Sequence, residues 1–447
     1  MKQLFGTDGI RGLAGQFPLD ETTVRIIGAS LSRQFRERLG RDPRFVSGRD
    51  TRESGGWIES AFHQGAVAEK AVCKSAGVIT TPGVAYLTRS FDYDAGIVVS
   101  ASHNPYQDNG IKIFLPSGTK IDEATERLIE IDIHENKIPK VNDLSAADPE
   151  SEAFFRLAYS KYLSEAASNI KLNDLRIVID CANGAASEFV PRVFTNFGGG
   201  VVIINNQPDG RNINKDCGSL HLENLQARVL KEKADVGIAF DGDADRALFV
   251  DENGQIVDGD ATLWVMARHL KAHGKLENST VVATVMSNIG LELALKAKGI
   301  NLLRANVGDK YVLEKLIETG SEVGGEQSGH IIFPETSLVG DGMMTALLLL
   351  RSIRERDVSL SKATESFVRF PQILLNVRVG EKLPFDDVPE IAAAAAEIEK
   401  ELHDQGRLLL RYSGTENLAR VMIEGKDQAA IESQARRLAK VIEKALG

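Results

Sequence analysis

Ala95-Gly96-Ile97-Val98-Val99-Ser100-Ala101-Ser102-His103-Asn104-Pro105 sets out the plan of the whole chain: an apolar run ends in hydroxyl, imidazole and amide groups and is stopped by proline. The run reads as a buried strand, and the proline closes it. A loop held by such a strand is where chemistry is usually placed. The same form returns three times. Residues 234–240 lead into Asp241-Gly242-Asp243-Ala244-Asp245-Arg246, and 322–324 into Gly325-Glu326-Gln327-Ser328-Gly329-His330. Residues 407–410 lead into Arg411-Tyr412-Ser413-Gly414-Thr415-Glu416-Asn417. One loop falls in each successive quarter of the chain, and their contents are complementary: a nucleophilic hydroxyl, a carboxylate triplet, a Glu/Ser/His set and an anion loop. Together they read as one phosphoryl-transfer site assembled from four domains.

Between the loops, short apolar runs alternate with segments of helical period, the pattern of α/β layers. Strands are expected at 45–47, 96–100, 176–179, 201–204, 236–240 and 280–284, and helices at 20–39, 54–76, 187–197, 222–233 and 260–273. At ~150 residues per domain, a chain of 447 divides into three or four. Apolar period is lost over 134–149, which contains Asp148-Pro149, so a first boundary is placed near 150. Asp251-Glu252-Asn253-Gly254 reads as a turn closing a second domain. After residue 370, two strand-like runs flank an Ala-rich helix at 389–402, and a last helix follows at 428–446. The expected division is 1–150, 151–254, 255–369 and 370–447, the last a smaller α+β domain.

The net charge of −10 argues against a nucleic-acid partner, since such domains carry a basic face. Positive charge is instead concentrated in the loops, at Arg11, Arg246, Arg411 and Arg420. Cys73, Cys181 and Cys217 show no paired metal spacing and fit reduced thiols in a cytoplasmic protein. The first residues lack the apolar core of a signal peptide. No apolar run approaches the ~20 residues needed to span a bilayer, so no membrane partner is expected. Monomer and homodimer both remain open.

Ser102 is the candidate nucleophile. A hydroxyl needs a base, or a phosphoryl-transfer setting that neutralises charge. No Gly-x-Ser-x-Gly elbow surrounds it, which argues against acyl transfer, and His103, Asn104 and Lys112 set it apart from a serine that merely caps a turn. Asp241, Asp243 and Asp245 recur at every second position, which on an extended backbone puts three carboxylates on one side. Hard oxygen donors with no His or Cys suit Mg²⁺ rather than zinc. The spacing also resembles the opening of an EF-hand with Glu252 at the twelfth position, but Arg246 stands where that loop needs glycine.

Glu326, Ser328 and His330 alternate likewise. Glu and Ser suit sugar hydroxyls and His titrates in the range of acid/base work, although a plain turn with a surface histidine has the same composition. Arg411, Ser413, Gly414 and Thr415, with Arg420, offer guanidinium forks, hydroxyls and a glycine that lets backbone N–H groups approach: a phosphate cradle. Phe5-Gly6-Thr7-Asp8-Gly9-Ile10-Arg11-Gly12 sets Thr7 and Arg11 in a glycine-flanked loop suited to a further anion. No Walker A or Gly-x-Gly-x-x-Gly pattern is present, which disfavours a nucleotide-driven kinase or a dehydrogenase.

In this order, residues 5–12, 100–112, 241–246, 325–330 and 411–424 resemble the α-D-phosphohexomutase family along essentially the whole chain. The resemblance implies an α/β protein of three related mixed-sheet domains plus a smaller C-terminal α+β domain around a central cleft. It implies an isomerase in which Ser102 is phosphorylated and, with Asp241, Asp243 and Asp245, binds one Mg²⁺ per subunit. Arg246, His103, Thr7 and Arg11 would surround that phosphoserine, and Lys112 and His330 would be the acid/base candidates. Glu326 and Ser328 would read sugar hydroxyls, with Lys310 a further substrate contact. Arg411, Ser413, Gly414, Thr415 and Arg420 would hold the phosphate that does not react.

Gln327, the opening motif and residues 106–112 lean toward members acting on glucosamine phosphate. Ala244, Tyr412, Asn417 and Lys310 depart from the usual Gly, Pro, Pro and Arg, which keeps glucose or mannose phosphate as alternatives. The expected reaction interconverts glucosamine 6-phosphate and glucosamine 1-phosphate, a small-molecule hexosamine phosphate pair, and feeds UDP-N-acetylglucosamine synthesis. Glucosamine or glucose 1,6-bisphosphate would be intermediate and activator.

Overall fold

The computed structural model describes residues 3–447 except 7, 141–147, 167, 169, 171, 173, 198–199 and 414–415, so Thr7, Gly414 and Thr415 lie outside the described residues. The chain forms two compact units, Met1–Thr284 with Leu303–Thr364 and Val285–Leu302 with Glu365–Gly447.

In the first unit, a six-stranded sheet runs in the order Phe5–Gly6, Gly9–Leu13, Asp108–Phe114, Ala95–Val99, Arg44–Arg49, Val72–Val78. Arg44–Arg49 pairs in parallel with both neighbours, whereas Asp108–Phe114 runs antiparallel to Ala95–Val99, so the sheet is mixed. Ala95–Val99 is buried at every residue, as a strand covered on both faces must be. Lys112 stands opposite Val98 across the ladder, which fixes the lysine beside the strand that carries the serine loop.

A second, five-stranded sheet has the order Ile256–Val257, Ala247–Asp251, Val236–Phe240, Arg176–Asp180, Gly200–Ile204. Val236–Phe240 and Ala247–Asp251 pair antiparallel, and the aspartate triplet is the loop between them. In a third sheet Thr280–Thr284 pairs in parallel with Gly324–Gly325, which returns antiparallel to Ile331–Ile332 through the Glu326–His330 turn. The second unit holds an antiparallel sheet in the order Gln372–Arg378, Leu418–Gly425, Gly406–Tyr412. Helices Pro389–Leu402 and Gln428–Leu446 contribute Ile391, Ile398, Leu438 and Ile442 to its core with Val421 and Ile423.

Most expected helices form with local reasons in view. Glu21–Leu39 begins where Asp20 accepts from the Thr23 amide and ends at Gly40, whose φ of 66° suits a residue with no Cβ. The helix expected at 54–76 is a correction: it spans only Gly55–Ala68, and Val72–Val78 is a strand. Ala, Glu and Lys over 66–71 favour helix, but Lys70 turns at φ 72° and pairing with Arg44–Arg49 overrides the local preference. Phe5–Gly6 and Gly9–Leu13, read as a loop, pair as a hairpin. Pro149, read as part of a polar connection, opens helix Pro149–Ala166, with Asp148 accepting from the Ser151 amide.

Candidate active site

Ser102 lies just past the buried strand Ala95–Val99, is 1% exposed, and adopts a left-handed φ of 52°. A non-glycine residue there is strained and persists only when its surroundings dictate it. They do so here through four side chains. The Ser102 amide donates to Ser100 Oγ at 2.9 Å, and Ser100 Oγ donates to Asp50 Oδ2. The Ser102 carbonyl accepts from Arg52 Nη2 at 3.1 Å and from Asn214 Nδ2 at 2.9 Å, and both donors also reach the Asn104 carbonyl. Arg52 is fully buried against Asp50. A Cβ on Gly242 would lie 2.5 Å from the Ser102 carbonyl oxygen, so the loops of the first and second sheets meet backbone to backbone. Asn214→Ala, which removes one of the two clamps, is expected to lower kcat by roughly ten- to a hundredfold by misplacing the hydroxyl. KM should stay within about twofold, read from steady-state kinetics; an unchanged kcat would show that Arg52 alone holds the loop.

Ser102 Oγ donates to Asp241 Oδ2 at 2.5 Å and stands 3.4 Å from His103 Nδ1. The three aspartates do converge, with ligand oxygens within 4.8 Å of one another. They do so by a different route from the extended backbone expected: Ala244 sits at φ 54° and its amide donates to the Asp241 carbonyl, so a turn gathers the carboxylates. The left-handed φ also accounts for the glycine usual at position 244. Glu252, the twelfth residue of the EF-hand spacing, takes no part; it accepts from Ser361.

Lys112, 1% exposed, lies 3.0 Å from Asp243, 3.1 Å from Asp8 and 3.6 Å from Asp245. Burial alone would lower its pKa, but Asp243, Asp8 and Asp245 outweigh burial and push it up, so the ammonium stays charged. Asp241 is driven well above the usual carboxylate range by burial and then by Asp245 and Asp243. Asp243 Oδ1 and Asp245 Oδ1 are buried and meet no hydrogen-bond donor among the described residues. Two orphaned oxygens and an excess of buried negative charge are what a cation would relieve, so this donor set fits a hard divalent ion.

Around the cluster, Arg246 Nη1 stands 3.2 Å from His103 Nδ1, and the Arg246 amide donates to Asp241 Oδ1. Burial and then Arg246 and Arg11 push the His103 pKa down to about 4. Arg11 pairs with Asp8, Asp8 with Lys120 at 2.9 Å, and Lys120 with Asp309 at 2.9 Å. A cavity of about 470 Å³ is lined by Arg11, His103, Arg246, Glu326 and His330. Glu326 accepts from the Gly308 amide at 3.0 Å and from Ser328 Oγ at 3.3 Å. His330 is buried, and its ring lies where a Cβ on Gly340 would intrude within 2.4 Å. His330 Nδ1 has no partner among the described residues. Lys310 lines an adjoining cavity of about 290 Å³ that shares His330 and Asp309 with the first, and its ammonium is 3.8 Å from Glu123.

Asp50, Arg52, Lys120, Asn214 and Asp309 escaped the sequence reading, as did Thr81, whose hydroxyl donates to Asp243 Oδ2 at 2.6 Å. Arg44–Arg49 running into Asp50-Thr51-Arg52 has the same strand-then-polar-loop form as the four loops chosen, and that signal was available. Lys120 and Asn214 carry no comparable local mark.

Arg411, Ser413 and Arg420 belong to the second unit. Arg411 and Arg420 stand opposite each other on adjacent strands, and burial with the Arg420 charge lowers the Arg411 pKa. Arg420 Nε is buried without a hydrogen-bond partner among the described residues, and Ser413 Oγ accepts from the Glu416 amide. Paired guanidinium groups with an unspent donor suit an anion.

Among the described residues no helix is long and apolar enough to cross a membrane. Phosphoglucomutase/phosphomannomutase models match the chain in order: alpha/beta/alpha domain I over 2–139, domain II over 157–254, domain III over 258–370 and the C-terminal domain over 374–441. A phosphoglucosamine mutase of Solibacter usitatus is 48% identical over 446 residues, covering 100% of this chain and 99% of its own. A phosphoglucomutase/phosphomannomutase family protein from Burkholderia thailandensis shares the fold at a TM-score of 0.81 and 24% identity, over 100% of this chain and 99% of its own. The Aspergillus fumigatus N-acetylphosphoglucosamine mutase, solved with GlcNAc-6P and magnesium, superposes at 0.65 with 18% identity, over 99% and 96%. Four domain matches in sequence order, joined by near-complete coverage of a relative at almost half identity, make the chain a member of the phosphoglucomutase/phosphomannomutase family of isomerases, among its phosphoglucosamine mutases.

Proposed function

We propose that Ser102, as phosphoserine, carries the phosphoryl group in the interconversion of glucosamine 6-phosphate and glucosamine 1-phosphate. The observation that carries this reading is the hydrogen bond from Ser102 Oγ to Asp241, between residues 139 apart in sequence. A sugar hydroxyl oxygen forms a bond to phosphorus as the bond to Ser102 Oγ breaks, giving a 1,6-bisphosphate. That bisphosphate turns end for end and returns its other phosphate to Ser102. His330, with its unpartnered nitrogen, takes the hydroxyl proton, and the Lys112 ammonium balances the charge on Ser102 Oγ until the second transfer, in which His330 returns that proton to the departing sugar oxygen. Arg246, His103 and Arg11 line the phosphoserine, Glu326 and Ser328 accept and donate to sugar hydroxyls, and Lys310 adds an outer contact. Arg411, Ser413 and Arg420, with Gly414 and Thr415, take the second phosphate.

Asp241, Asp243, Asp245 and Ser102 would hold Mg²⁺, which when bound neutralises charge on the transferring group. The ion and the hexosamine phosphate class are supported by what the Aspergillus fumigatus protein was crystallised with. The division at 150, 254 and 369 and a cytoplasmic setting, which the free cysteines suit, belong to the same reading. The test is a coupled assay of glucosamine, glucose and mannose 6-phosphates with Mg²⁺ and catalytic bisphosphate. Glucosamine 6-phosphate is expected to lead in kcat/KM by at least about tenfold. Equal or faster glucose or mannose phosphate would shift the substrate assignment, and phosphate release without isomer would replace the mutase by a phosphatase.

A further inference from the structure

We propose that His269, His273 and Glu355 form a second metal site, apart from the carboxylate cluster, for a divalent transition ion of the zinc type. His269 lies in the last turn of helix Gly259–Ala272 and His273 just beyond it, one turn apart and so on one face. Glu355 is the last residue of helix Gly342–Glu355, packed alongside. Both imidazole Nε2 atoms approach the same carboxylate oxygen, Glu355 Oε2: His269 at 3.7 Å and His273 at 3.3 Å. Ligand atoms of all three residues fall within 4.8 Å of one another. Two ligands held at ~2.0–2.1 Å on a tetrahedral ion stand ~3.3–3.4 Å apart, so these separations are close to what an ion would impose.

His273 Nδ1 lies 2.8 Å from the His269 carbonyl and donates its proton there. That bond leaves the Nε2 lone pair directed at the cluster, the outer contact that orients a metal-binding imidazole. His269 is buried, and its Nδ1 has no hydrogen-bond partner among the described residues. An ion pair would account for one histidine on Glu355; a second imidazole on the same oxygen is redundant for pairing and fits a shared cation. Arg351, one turn before Glu355, directs its guanidinium to the carbonyls of Ala166 and Ser168. Two imidazoles and one carboxylate suit zinc, cobalt or nickel and do not suit Mg²⁺, the reverse of the oxygen-only aspartate set. His273 and Glu355 are about half exposed, which admits the ion and leaves a position for water.

Both helices begin at catalytic loops. The Gly259 amide donates to the Gln327 carbonyl and the Gly342 amide to the Ala244 carbonyl, each at 3.0 Å. The ion would therefore clip together the far ends of two helices, ~20 Å from the chemistry.

The experiment titrates tag-free, full-length protein saturated with Mg²⁺, first with Co²⁺ and then with Zn²⁺. One equivalent of Co²⁺ should give the intense visible bands of a four-coordinate nitrogen and oxygen site, should be displaced by Zn²⁺, and Zn²⁺ should raise the melting temperature. His273→Ala and Glu355→Gln, both at exposed positions, should weaken binding by at least about tenfold and remove the rise. Turnover with Mg²⁺ alone should be unchanged in both. Absent bands, or bands and affinities equal in wild type and variants, would overturn the site.

Discussion

Ser102→Ala is expected to fold and to turn over at least about 10⁴-fold more slowly than the wild type, because loss of a nucleophile leaves only binding and charge stabilisation to act. The change removes one oxygen from a fully packed position. The backbone of the loop stays clamped by Arg52 and Asn214, neither of which touches the hydroxyl. What the fold loses is the donor to Asp241, and leaving that buried acceptor unsatisfied costs about 1–3 kcal/mol. Two measurements separate the outcomes. A thermal melt by circular dichroism reports the fold, and intact mass after incubation with bisphosphate reports the phosphoryl group, about 80 Da on wild type and none on the variant. Wild-type turnover in the variant would remove Ser102 from the reaction; a phosphorylated variant would place the acceptor elsewhere.

Lys112→Met is expected to be the most destabilising single change near the site. Methionine reproduces most of the aliphatic stem, so packing is largely kept, but Asp8, Asp243 and Asp245 lose their shared counter-charge. Breaking a buried ion pair by removing one partner costs about 3–5 kcal/mol, mostly because the remaining charge is stranded. Since Asp243 and Asp245 are also candidate metal ligands, millimolar Mg²⁺ should recover part of the loss, raising the variant's melting temperature more than the wild type's. Turnover should fall even where Mg²⁺ restores the fold, because the cation beside the serine loop is gone. A variant that melts with wild type in the absence of metal would mean that the carboxylates are neutralised by other means.

The elements that mattered most were legible because each is a strand of buried residues stopped by a polar loop. Ala95–Val99 and Val236–Phe240 are buried throughout, so their composition alone marks them. Helices Pro389–Leu402 and Gln428–Leu446 were equally plain, the first by proline at its start and the second by a clear apolar stripe. Val72–Val78 was not, since its identity comes from an edge offered by Arg44–Arg49 and not from its own residues. In the site, residue types announced themselves while geometry did not. The aspartates were found for their spacing, yet they meet because Ala244 turns the chain. Lys120 and Asp309, 189 positions apart, share no local pattern that could have joined them.

The contact between Gly242 and the Ser102 carbonyl bears on how this enzyme can be recombined. A Cβ on Gly184 would in turn come within 2.3 Å of the Gly242 carbonyl oxygen, so three main-chain segments are stacked at direct backbone contact, with the Ile213 and Asn214 side chains packed tightly beside them. A chimera taking its first sheet from one homologue and its second from another inherits that seam as bare peptide on bare peptide, and close-packed interiors transmit a misfit instead of damping it. Crossovers between about residues 105 and 240 would thus be the hardest to tolerate, whatever the parents' overall similarity.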